Sequence, residues 1–247
     1  MSPSRESRVR DQLLALGVEL EGKDPGSHWE WMEDRPVSLK AANKFLLLKM
    51  VDFRQRGAVP TRKIRNFVQE ELGDPDDLWG AILEIPQEVW DARTGPASLH
   101  STRARHKKIR LMAAQIKRLY DGDARCLWAD RSPEATLERL RELGLGMWTS
   151  MMTVGALYDE DELPRALDVK ADVHVTRVLG RSLAGTAYTP DQVASATERM
   201  LPESRWSLDA PTWYVGRTYC HARSPECGSC PLEGCCRYRE SNAKTPL

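Results

Sequence analysis

The sequence predicts an all-α protein built from short helices joined by short loops. Apolar residues recur at three- and four-residue spacing along much of the chain, the period of a helix face. Glycine, proline and aspartate gather at separated breaks, and no stretch alternates apolar and polar residues as a half-buried strand would. The 247 residues, 41% of them apolar, are enough for one large core or two small ones.

Taken in order, the elements support this reading. Met1 to Arg8 is a short Ser/Arg-rich start without the apolar stretch of a secretory signal. His28 to Trp31 (HWEW) is aromatic-rich but carries no motif. Lys40 to Val51 (KAANKFLLLKMV) is an apolar run of helical length with basic residues at intervals. From Thr61 to Leu72, helical spacing sets Ile64, Phe67, Val68 and Leu72 on one face. From Arg105 to Tyr120 it buries Ile109, Met112, Ile116 and either Leu119 or Tyr120. Ser132 followed by Pro133 marks a helix start, an N-cap serine with proline at the first helical position. Breaks fall at residues 24–26, 57–60, 73–75, 95–96 and 121–123.

The formal net charge is zero, so the total points to no particular partner. Its distribution is uneven. Ser98 to Arg118 holds Arg103, Arg105, Lys107, Lys108, Arg110, Lys117 and Arg118 with no acidic residue, whereas Asp159 to Glu162 is wholly acidic. Such a stretch is either a solvated helix face or a positive surface for phosphates. No apolar run is long enough to span a membrane, so the expectation is a soluble cytoplasmic chain with reduced thiols.

That setting gives the cysteines their meaning. Five of the six lie between Cys220 and Cys236, and clustering of this kind in a reducing compartment favours a metal site over disulfides. Cys220, Cys227, Cys230 and Cys236 have the spacing C-x6-C-x2-C-x5-C. Four thiolates this close suit either a tetrahedral zinc or an iron–sulfur cluster. Zinc sites more often use two C-x-x-C knuckles, and only Cys227 and Cys230 form one here. Cys235, beside Cys236, would make the last spacing x4. Cys126 stands alone and reads as a small buried residue.

Upstream, Leu143 to Ser150 (LGLGMWTS) places glycines at 144 and 146, which permit a tight turn between helices. The amides opening the second helix then point outward, where they can hold a phosphate without reading sequence. Further on, Lys170 to Val178 (KADVHVTRV) sets Asp172 ahead of an apolar helix, the position of an ordinary N-cap.

Together, in this order, the glycine hairpin, the Asp-x-His-x-x-Arg-Val segment and the cysteine loop with its lead-in GRTYC (Gly216 to Cys220) resemble the endonuclease III and adenine-glycosylase family of helix-hairpin-helix proteins. The resemblance runs from about Leu137 to Tyr238; from about Val37 to Tyr120 only the helical layout agrees. It implies two all-helical lobes: residues 38–165 as a helical barrel carrying the hairpin, and residues 1–37 with 166–247 as a lobe around a [4Fe–4S] cluster. The implied ligands are Cys220, Cys227, Cys230 and Cys236, the family spacing selecting Cys236. All four iron positions are then filled, which leaves the cluster a structural and DNA-docking role.

The same resemblance implies a DNA-repair N-glycosylase acting as a monomer on double-stranded DNA with a damaged or mismatched base, in the cytoplasm at the nucleoid. Asp172 is the catalytic carboxylate, and Gly144, Gly146, Thr149, Arg177 and Arg223 are DNA contacts. His174 and Arg177 support the helix after Asp172. An anion is needed because breaking an N-glycosidic bond builds positive charge on the sugar. The base must first leave the stack, which favours damaged or mispaired ones.

The chain departs from the family pattern in four places. The lysine of bifunctional members, which attacks the sugar, is replaced by Trp148, and an indole forms no Schiff base. A monofunctional enzyme leaving an intact abasic site is therefore expected, with Lys170 or Lys49 as the alternative nucleophile. Trp148 either stacks on the flipped base or fills the pocket; the latter makes a non-catalytic lesion sensor the competing reading. Where the family often has glutamines, this chain has Lys49, Val51, Asp52 and Arg54, so the expected pocket is Trp148, Lys49, Asp52 and Lys170 and the base is not identified. The family proline before the first glycine is Leu143, and Ser224 and Glu226 dilute the cationic loop around His221 and Arg223.

Overall fold

The structure, a computed structural model, describes residues 3–21, 36–51, 59–100 and 102–242. Twelve α-helices are present among these residues, with no strand. The aromatic residues at 28–31, the breaks at 24–26 and 57–58, Asp52 and Arg54 lie outside them. The chain divides into two compact units, one made of Met1–Asp24 with Ala166–Leu247 and the other of Pro25–Arg165.

The Pro25–Arg165 unit contains α2 (Leu39–Val51), α3 (Val59–Arg65), α4 (Leu78–Glu84), α5 (Gln87–Ala92), α6 (Arg103–Tyr120), α7 (Pro133–Glu142) and α8 (Met147–Asp159). α2 is its axis. Every residue from Ala41 to Val51 is buried, and α3, α4, α6 and α8 pack around it. A helix apolar on nearly all sides belongs in the middle of a core. Its polar residues are buried with partners. Asn43 donates to Gly122 O (2.8 Å) and accepts from Ala124 N (3.0 Å), fastening the 121–124 turn to the axis. Lys44 pairs with Asp74 (2.7 Å), and Lys49 stands over the Phe45 ring (5.3 Å).

The helix predicted over 61–72 changes winding. α3 gives way at Asn66–Glu71 to a wider π turn, with Leu72 N–H donating to Phe67 O (3.0 Å). Ile64, Phe67 and Val68 are buried, but the extra residue in the turn leaves Leu72 at the edge. α6 buries Ile109, Met112 and Ile116 as its spacing requires, together with His106; Leu119 is exposed and Tyr120 half-buried. Ser132 caps α7 through Ala135 N, with Pro133 at the first position.

The other unit contains α1 (Arg5–Glu21), α9 (Val173–Ala184), α10 (Pro190–Met200), α11 (Asp209–Thr218) and α12 (Arg237–Asn242). α9 is its hub, packed against all four of the others. Val175, Val178, Leu179 and Leu183 meet Val9 and Leu13 of α1, Val193 of α10 and Val215 of α11 in one apolar core. α11 comes very close to the start of α9. A Cβ on Gly216 would stand 2.7 Å from the Cβ of His174, so only glycine fits there.

Candidate active site and cysteine loop

In the hairpin, Leu143 ends α7 and Gly146 precedes α8. Gly144 turns the chain at φ 105°, a conformation side chains rarely adopt. The first intrahelical bond of α8 is Ser150 N–H to Gly146 O (2.9 Å), so the amides of Met147, Trp148 and Thr149 open the helix with its positive dipole end. Two cations of α6 flank this turn. The Lys108 ammonium lies 3.2 Å and the Arg105 guanidinium 3.9 Å from where Cβ atoms on Gly144 and Gly146 would stand. The basic stretch and the hairpin, read separately in the sequence, thus form one surface. Arg105 and Lys108 were not singled out there, since only folding shows which cations of α6 reach the turn.

The side chains that follow point both ways. Trp148 is 40% exposed and does not fill the core of its unit. Thr149 is buried, so the group it can offer a phosphate is its backbone amide at the start of α8. Lys49, assigned to the pocket, is 5% exposed on the buried axis α2 and lines no open surface. Asp52 lies outside the described residues.

The carboxylate lies in the other unit. Asp172 is the N-cap of α9, and its Oδ1 accepts from His174 N (2.8 Å) and Val175 N (3.0 Å). The ordinary reading of an aspartate in this place is therefore correct as far as it goes. Capping uses one oxygen. Oδ2 faces the Lys170 ammonium at 3.7 Å, and the side chain keeps 20% exposure. Two amides and an ammonium thus surround this carboxylate. That arrangement suits stabilisation of positive charge more than strong general-base work.

Arg177 and Arg181 fasten the cysteine loop to α9. Arg177 donates to Cys220 O (2.6 Å), Gly216 O (2.9 Å), Val173 O (2.9 Å) and His174 Nδ1 (3.0 Å). With four of its five N–H groups spent inside the protein, Arg177 is a clamp between α9 and the cysteine loop, the supporting role expected of it. Arg181 donates to His221 O (2.7 Å), Ala222 O (2.8 Å) and the Cys220 thiol (3.4 Å), and stacks on Tyr238 (4.7 Å). Sequence reasoning missed Arg181, although its place four residues after Arg177 puts both on one helix face. Arg223 is exposed, and Glu226 faces His221 (3.5 Å).

None of the six cysteines is in a disulfide. Cys220, Cys230 and Cys236 pack at the edge of the apolar core. Burial pushes the Cys230 thiol up to about 11, and the sulfurs of Cys220, Cys236 and Cys227 add to the shift. Burial likewise raises Cys227 and Cys236, again with help from neighbouring sulfurs. Cys235 differs: it is 4% exposed, and its thiol donates to Leu232 O (3.5 Å) within the core. Among the described residues no three His, Cys, Asp or Glu side chains converge on a single metal ion. Four half-buried thiols, with Arg181 donating to that of Cys220, are the donor type an iron–sulfur cluster takes. Cys126 is exposed rather than buried.

The known proteins agree with this layout. No protein-family profile matches the chain. Endonuclease III of Bacillus subtilis (strain 168) is 25% identical over 194 residues, 77% of this chain and 78% of that protein. Endonuclease III of Escherichia coli (strain K12) is 32% identical over 74 residues. Among solved structures, a trapped endonuclease III–DNA covalent intermediate superposes with a TM-score of 0.64 at 18% identity, over 99% of this chain and all of that one. A thermostable thymine-DNA glycosylase gives 0.64 at 16% identity, over 96% and 97%. The chain shares the fold of endonuclease III and is similar to it in part of its sequence. The likeness to these structures agrees with the all-helical fold class. The match to the Escherichia coli protein spans 29% of this chain and 35% of that protein.

Proposed function

We propose that the protein is a monofunctional DNA N-glycosylase that hydrolyses the bond between deoxyribose and a flipped damaged or mispaired base, with Asp172 as its reactive carboxylate. The observation that carries the proposal is the divided use of Asp172: Oδ1 is fixed by two amides, while Oδ2 faces outward beside Lys170. A preorganised anion of this kind stabilises the cationic sugar as the base leaves and orients the attacking water. Trp148, exposed at the start of α8, offers an aromatic face and no amine. Hydrolysis without strand cleavage follows from that substitution.

The partner is double-stranded DNA, bound by a monomer through the amides of the hairpin with Arg105 and Lys108, and through Arg223 on the cysteine loop. Its place is the cytoplasm, at the nucleoid. No helix among the described residues is long and apolar enough to cross a membrane. Cys220, Cys227, Cys230 and Cys236 would hold a [4Fe–4S] cluster, which when bound stiffens the loop and leaves the chemistry to the side chains. Residues 38–165 act as the hairpin lobe, and the two ends of the chain act as the cluster lobe.

The test is a panel of duplexes carrying uracil, thymine opposite guanine, and oxidised or alkylated bases, scored before and after alkali. Nicking only after alkali is expected, and Asp172→Asn should abolish it while DNA binding persists. Nicking without alkali, or an adduct trapped by borohydride that Lys170→Ala removes, would instead assign a lyase step to Lys170. Binding to lesion or abasic duplexes with no base release from any of them would favour a sensor.

A further inference from the structure

Residues 165–172, which lead to the carboxylate, have no regular secondary structure, so something outside the segment must fix where it runs. That anchor is Asp209, the first residue of α11 and only 7% exposed. Its Oδ1 accepts the Lys170 N–H at 2.6 Å. The Lys170 carbonyl in turn accepts the Asp172 N–H at 2.7 Å. Residue 170 is thus held through both of its backbone polar groups, one bond leading to α11 and the other to Asp172. Its ammonium, carried on the same fixed backbone, is the group 3.7 Å from Asp172 Oδ2.

We propose that Asp209 is a positioning residue for the reaction: through Lys170 it sets both the place of Asp172 and the distance of the ammonium that faces it. The inference rests on the reading of Asp172 as the reactive carboxylate. At 2.6 Å, a carboxyl oxygen on a peptide N–H is a short bond for a loop. The Asp172 cap alone fixes the carboxylate relative to α9 but leaves the ammonium unplaced. Next to it, Asp168 bonds Val169 N (2.7 Å) and pairs with Arg205 (3.2 Å), steadying the segment two residues earlier without touching residue 170. A shift of about 1 Å at a reacting group costs up to about a hundredfold in rate, far more than it costs in binding.

The experiment compares Asp209→Asn, Asp209→Glu and Asp209→Ala in the full, iron-loaded protein. Asparagine keeps an oxygen at the position of Oδ1, whereas glutamate keeps the charge and moves the acceptor. Single-turnover base release at saturating enzyme should fall about tenfold or more in Asp209→Ala and Asp209→Glu, and stay within about threefold of wild type in Asp209→Asn. Affinity for a duplex with an abasic-site analogue should change less than about twofold throughout. A wild-type rate in Asp209→Glu, or an Asp209→Asn variant as slow as it, overturns the proposal. If Asp209→Ala does not fold, the other two variants decide. Amide exchange at Lys170, faster in Asp209→Glu and unchanged in Asp209→Asn, reads the anchor without activity. If wild type releases no base, the functional reading fails by itself, and this exchange result still judges the anchor.

Discussion

At the scale of single residues, a side chain's neighbours decide between two readings of the same letter. Asp172 is both an N-cap and a candidate reactive group because a carboxylate has two oxygens and the cap needs one. Cys235 and Cys236 are adjacent in sequence and differ in surroundings, the first turned into the apolar core and the second beside the other sulfurs. Cys236→Ala should therefore lose the iron and the visible absorption of the purified protein. Cys235→Ala should keep both and cost about 1 kcal/mol or less of stability, since it removes only a small buried sulfur. Metal analysis of the two variants, purified without oxygen, checks this. Equal iron in both would remove Cys236 from the ligand set.

At the scale of elements, the hairpin shows why two glycines in one motif are not equivalent. Gly144 needs its positive φ, and a Cβ there would come within 2.8 Å of the Lys108 side chain. Gly146 has φ −71° and its nearest neighbour is 3.9 Å away. Gly144→Ala should cost about 1–2 kcal/mol and weaken DNA binding, because the strained turn also aims the α8 amides. Gly146→Ala should leave the melting temperature nearly unchanged. Thermal melts with a salt titration of DNA affinity separate the two. Matching losses of stability would mean that the turn does not depend on Gly144 in this way.

For the whole molecule, the division into two units means that different groups govern the stability of each. In the Pro25–Arg165 unit, His106 is fully buried and stacked on Trp90 (4.4 Å). Its Nε2 donates to Trp90 O (3.0 Å), and its buried Nδ1 has no hydrogen-bond partner among the described residues. Burial pushes its pKa below the usual value of about 6.5, so the folded protein keeps it neutral. The unfolded chain takes up a proton first as pH falls. Stability from this site is complete above about 6.5 and declines as pH drops through that value toward the folded pKa. The melt of this unit should thus shift downward between pH 7.5 and pH 5 by more in wild type than in His106→Gln. Identical shifts would show that another group carries the acid sensitivity.

The helical character of the chain, the capped start of α7, the Asp172 cap and the grouping of the cysteines are local properties, and spacing and residue type determine them without reference to the rest of the protein. The order of hairpin, aspartate and cysteine loop was enough to indicate the family. Other features depend on segments that meet only after folding. Arg177 and Thr149 were expected as DNA contacts from the resemblance alone; that Arg177 clamps the cysteine loop and the Thr149 side chain is buried depends on packing. Lys49 was drawn into the core with the axis helix that carries it. Arg181 and Asp209 acquire their roles from partners about forty residues away in sequence. Period and capping act over a few residues, whereas burial and hydrogen bonding between distant segments exist only once the core has closed.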